Sequence, residues 1–68
     1  MKYKLIATIV KKRRKTLGID QRKLSQLSGV ALHTVSNMEQ GRELRIGSLV
    51  KILDVLGMEL DIKVKGGD

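Results

Sequence analysis

The sequence holds one histidine, His33, and no cysteine. A hydrolytic or redox centre needs a nucleophile, a base to activate it and a group to orient that base. One imidazole with no thiol and no second histidine cannot complete that set, and it cannot hold a metal alone. No catalytic residue, metal ligand or cofactor is therefore expected, and the chain does not read as an enzyme. The side chains left to do chemistry are cations and hydrogen-bonding amides and hydroxyls. Fourteen Lys and Arg against seven Asp and Glu give a net charge of +7, and the first fifteen residues carry seven of the bases and no acid. Such a field calls for a polyanionic partner, nucleic acid first and a membrane surface second.

The elements that must position these groups belong to one small domain of 68 residues. A fold this small needs a compact core, a partner chain or both. With Tyr3 the only aromatic residue, the core must come from Leu, Ile, Val, Met and Ala. No apolar run approaches the ~20 residues that span a membrane. MKYKLIATIV has the early lysines and short apolar run of a signal peptide, but the KKRRK after it offers no small-residue cleavage site, so the chain is expected in the cytoplasm.

Ile6, Val10, Arg14 and Leu17 fall at helical spacing, with Leu5 and Ile9 beside them, and predict a first helix over about 4–16 ended by Gly18. Asp20 suits the N-cap of a second helix that turns Leu24 and Leu27 inward as far as Gly29. A third helix over about 31–40 turns Val35 and Met38 inward and stops at Gly41. After the polar segment GREL, Ser48 is expected to cap a fourth helix carrying Leu49, Ile52, Leu53 and Leu56, with Gly57 as its stop. Met58, Leu60, Ile62 and Val64 then alternate with Glu59, Asp61, Lys63 and Lys65, the pattern of a half-buried strand.

DQRKLSQLSGVALHTVSNMEQG is thus two short helices joined at Gly29, the arrangement in which the second helix enters the DNA major groove. The inward Leu24, Leu27, Val35 and Met38 leave Leu32, His33, Ser36 and Asn37 on the outer face of the third helix. That face is neutral to polar and able to hydrogen-bond. The default reading of KKRRK is a solvated helix face. Lys11, Lys12, Arg13 and Lys15 point in different directions around the helix, so one or two are expected to reach phosphates while the rest supply long-range attraction.

RRKTLGIDQRKLSQLSGVALHTVSNMEQG taken together resembles the Xre-type helix-turn-helix of lambdoid phage repressors and Cro, over about residues 9–57. The resemblance implies an all-α, lambda-repressor-like domain of four to five short helices that dimerises and represses at palindromic operators. It implies that Gln21 touches phosphate and braces the recognition helix. By the same resemblance Leu32, His33, Ser36 and Asn37 face base edges, Arg42 and Arg45 touch the backbone, and Arg14 pairs with Glu39 in a partly buried salt bridge. Two positions depart from the family. Ala31 stands where Ser or Thr usually caps the third helix. Leu32 stands where a polar reader is frequent, and it can meet a thymine methyl but cannot make paired bonds to adenine. Direct readout is therefore expected to rest on Asn37 and His33.

The same domain followed by LGMELDIKVK resembles the HipB-type antitoxins, which repress their own operon and hold a HipA-type kinase toxin. In those proteins a strand after the last helix pairs with its twin. That gives an expected division into a DNA-binding domain at 1–57, a dimerisation strand at 58–65 through Met58, Leu60, Ile62 and Val64, and a flexible tail at 66–68. Lys2–Leu5 also alternates briefly, so pairing within one chain is the other solution for the strand. Expected partners are double-stranded DNA, a second copy of the chain and a HipA-type kinase. The alternative is a repressor with no toxin. Membrane-surface binding ranks behind both, because Ile6 and Val10 are expected inside the core.

Overall fold

The computed structural model describes residues 3–66. They form four helices, α1 (Tyr3–Thr16), α2 (Gln21–Ser28), α3 (Leu32–Glu39) and α4 (Ile46–Val55), and no strand is present among the described residues. None of the helices is long and apolar enough to cross a membrane.

Helix ends are set by local chemistry. Asp20 is extended and its Oδ1 accepts from the Lys23 N–H at 2.7 Å, so α2 begins with a satisfied donor. α3 ends in a Schellman motif: the Gly41 N–H donates to the Met38 carbonyl at 3.0 Å and the Arg42 N–H to the Asn37 carbonyl at 3.0 Å. Gly41 has φ +72°, and a Cβ there would stand 3.2 Å from Lys4 Cγ. The left-handed backbone needs glycine at this position, whereas the Lys4 side chain would have to give by only a few tenths of an ångström to admit a Cβ. α1 and α4 close with the same pair of bonds, and α2 with a single bond from the Gly29 N–H to the Ser25 carbonyl at 2.9 Å.

Ala31 precedes α3 with no side-chain cap. Ala31→Ser is expected to raise stability by about 1 kcal/mol, by supplying an acceptor to an otherwise unpaired N–H of the first turn. Urea unfolding followed by circular dichroism measures it.

Ser48 is not the cap of α4. The helix begins at Ile46, with the extended Arg45 as the residue before it and the Leu49 N–H donating to the Arg45 carbonyl at 2.9 Å. Leu44 packs against the core, which leaves only Arg45 between that anchor and the helix.

Val10, Leu24, Val35, Leu49, Ile52 and Leu56 are fully buried, with Met38 and Leu53 nearly so. α1 packs on α3, and α2 packs on both α3 and α4. One leucine expected inside is not. Leu27 is 54 % exposed: it lies at the edge of the α2 stripe that points Leu24 inward, and Val30, just past the turn, fills the core instead. Leu17 is half-exposed because α1 has ended, and Ile19 packs in its stead.

The chain leaves α4 with the Met58 N–H donating to the Leu53 carbonyl at 2.9 Å. Met58 and Leu60 then pack against the core, but Ile62 is 83 % and Val64 72 % exposed. Pairing of this segment with Lys2–Leu5 is overturned, since Tyr3–Leu5 are helical and their backbone groups follow the α1 path. Lys2 lies outside the described residues. So does the expected flexible tail apart from Gly66.

Candidate nucleic-acid interface

The two helices of the motif are locked to α1 by one buried ionic cluster. Arg14 Nε donates to Glu39 Oε2 at 2.7 Å and Arg14 Nη2 to Glu39 Oε1 at 2.9 Å. A third Arg14 donor, Nη1, reaches the Ile19 carbonyl at 2.8 Å. Gln21 Nε2 adds a bond to Glu39 Oε1 at 3.2 Å. The side chains of Arg14 and Glu39 are 9 % and 1 % exposed. The hydrogen bonds to Glu39 and its charge hold the Arg14 guanidinium protonated more firmly than usual, against the opposing effect of burial. α1, the start of α2 and the end of α3 therefore meet at one carboxylate. No buried side-chain polar atom is left unpaired among the described residues.

With Val35, Met38 and Glu39 turned inward, the other side of α3 is free. His33 is exposed, Leu32 is 37 % exposed, and Ser36 and Asn37 are half-buried. Ser36 Oγ accepts from Gln40 Nε2 at 2.9 Å, which adds a second amide to this face beside Asn37. A short apolar contact, two amides, a hydroxyl and an imidazole form a surface able to meet base edges in the major groove. Gln21 stands at the first turn of α2, half-buried, with its amide already engaged by Glu39.

The Schellman bond from Arg42 to the Asn37 carbonyl fixes where the loop departs from the reading helix. Arg42 is exposed with no acidic partner among the described residues. Arg45 is exposed too, but its Nε donates to Glu43 Oε1 at 2.8 Å, so part of its charge is offset locally. Among the described residues there is no group of His, Cys, Asp and Glu able to hold a metal ion.

Three contributors escape a reading of the sequence. Arg13, one of a run of bases, donates from Nε to the Leu56 carbonyl at 2.9 Å and ties α1 to the end of α4. No local signal announces a contact across 43 positions. Gln40 was findable, since it lies four residues from Ser36 on a helix. Glu43 was findable only as an acid beside two arginines.

A helix-turn-helix family model matches residues 10–63, from the middle of α1 through the segment after α4. No curated protein matches the chain. With four helices in this order, a polar outer face on α3 and a family match over most of its length, the chain belongs to the helix-turn-helix family of DNA-binding regulators, of the Xre and lambda-repressor-like kind.

Proposed function

We propose that the chain is a homodimeric transcriptional repressor of the cytoplasm that reads a palindromic operator and catalyses no reaction. The observation that carries the DNA reading is the outward face of α3, with Leu32, His33, Ser36 and Asn37 available while the opposite face is core. Asn37 and His33 supply direct readout, Leu32 contacts a thymine methyl, and Gln21, Arg42 and Arg45 contact phosphates. Two such helices in a dimer lie about one DNA turn apart, ~34–36 Å.

Dimerisation is supported by the segment after α4, whose apolar residues are half covered: Met58 and Leu60 against the core, Ile62 and Val64 bare. A second copy of the same segment, paired with it as an antiparallel strand about a two-fold axis at Ile62, covers them. That register sets Glu59 opposite Lys65 and Asp61 opposite Lys63, so both charged pairs are of opposite sign.

The role we assign to this repressor is that of a HipB-type antitoxin, which controls its own operon and holds a HipA-type kinase toxin. The alternating MELDIKVK after the helical domain favours it. A neighbouring gene for a kinase-like chain, and co-purification with its product, supports this role. A chain that purifies alone, with no such neighbour, is a stand-alone repressor.

The DNA reading is tested by two substitutions. Asn37→Ala is expected to relax preference at one base position per half-site and to cost ~1–3 kcal/mol there. Arg42→Ala is expected to weaken all sequences about equally. Binding to operator and random duplexes separates the two. Identical losses on both duplexes for both variants would sink the assignment of roles.

A further inference from the structure

One face of α1 has no part in the core or in the motif. Thr8, Lys11, Lys12, Lys15 and Thr16 line an open polar cleft of about 670 Å³ whose other wall is Glu39. Thr8 Oγ1 and Thr16 Oγ1 spend their protons on the carbonyls of Lys4 and Lys12, each at 2.9 Å, so the donors facing the cleft are the lysines. All three lysines are exposed, and none forms an ion pair among the described residues. Glu39 does not serve them, because both of its oxygens are taken by Arg14 and Gln21.

The fold gains little from this arrangement. Lys11 and Lys15 are a like-charged pair one turn apart, and Lys12 and Lys15 stand three apart, spacings that disfavour a helix. The dipole at the end of α1 favours Lys15 but does little for Lys11. A cluster that local stability does not require points to a ligand. Its position names the ligand. The wall of the cleft on the motif side is Glu39, which also holds Gln21, so the lysines lie beside the α2 residue to which the proposed function gives a phosphate contact.

We propose that the α1 face of Lys11, Lys12 and Lys15 is a further binding site for DNA backbone phosphate, flanking the contacts made by Gln21 and Arg42. It extends the footprint beyond the reading helix and adds affinity without sequence preference. The site rests on the DNA-binding reading and specifies which of the α1 bases touch the duplex. Arg13 does not line this cleft and turns instead to the end of α4, where its Nε donates to the Leu56 carbonyl.

The experiment is the salt dependence of duplex binding by the full chain, for wild type, Lys11→Gln, Lys15→Gln and the double variant. Lys51→Gln, on the exposed side of α4, controls for net charge. A lost phosphate contact makes the slope of log K against log salt less negative by about 0.9 and lowers the affinity by roughly fivefold at 0.15 M salt, per protomer. Lys11→Gln and Lys15→Gln should each show this, equally on operator and random DNA, and the double should show both losses. Lys51→Gln should leave the slope unchanged. Slopes unaltered by the α1 variants, or altered as much by Lys51→Gln, overturn the site while leaving the function of α3 intact. Loss of anionic-vesicle binding in the same variants, with DNA affinity retained, reassigns the face to a membrane surface. A wild type that does not bind DNA overturns the site and the proposed function together.

Discussion

Glu39→Ala is expected to cost about 3–5 kcal/mol, because it leaves the Arg14 guanidinium buried with two donors unpaired. A domain of 68 residues has roughly 3–10 kcal/mol to lose on the usual per-residue scale. The variant is therefore expected to lose about a third or more of its stability, with DNA binding at 37 °C falling as the unfolded fraction grows. Urea unfolding at 25 °C checks the magnitude, and a loss under about 1 kcal/mol would be incompatible with this account. A second variant separates the pair from its burial. Removing both charges, Arg14→Leu with Glu39→Leu, should leave the protein more stable than Glu39→Ala alone, because apolar groups of similar size need no partners in that site. Gln21 then loses its acceptor. If Glu39 braces the reading helix as well as the fold, the double variant will be folded yet weaker on the operator.

Much of this architecture was legible in the sequence because its causes are local. Gly18, Gly29, Gly41 and Gly57 all take positive φ where the helical spacing stops, and Asp20 caps the helix it precedes. The ion pair between Arg14 and Glu39 spans 25 positions, so it was reached through family resemblance and not through spacing. What could not be read depends on where the chain folds back. Leu27 and Val30 are both apolar and close together, and only the packing of α2 on α4 decides that Val30 goes inside. Ser48 has the better side chain for a cap, yet the anchoring of Leu44 starts α4 three residues earlier. In the run KKRRK, composition shows only charge. Packing gives its members different work, with Arg13 closing α4, Arg14 inside the core, and Lys11, Lys12 and Lys15 facing a cleft.

Replacing Ile62 and Val64 with serine is expected to convert a dimer to monomers without unfolding the helices. Within one chain these two side chains touch little: they are 83 % and 72 % exposed, whereas Met58 and Leu60 pack on the core. The substitutions therefore remove the apolar surface that the proposed second copy covers. At about 1.5 kcal/mol for each newly buried aliphatic side chain, four of them in a dimer amount to about 6 kcal/mol, an upper figure that corresponds to some four orders of magnitude in the dimer Kd. Sedimentation equilibrium measures it, and circular dichroism shows that the helices persist. The register is tested by charge. Asp61→Lys sets like charges opposite each other at Lys63 and should loosen the dimer by ~0.5–2 kcal/mol over its two equivalent pairs, while adding Lys63→Asp should restore it. A wild type that is monomeric at micromolar concentration, or a serine variant that dimerises as well as wild type, would falsify the paired strand. Monomers would still carry the reading face of α3, but each would engage one half-site alone. The spacing of about one DNA turn that selects a palindrome would then have no physical basis in this chain.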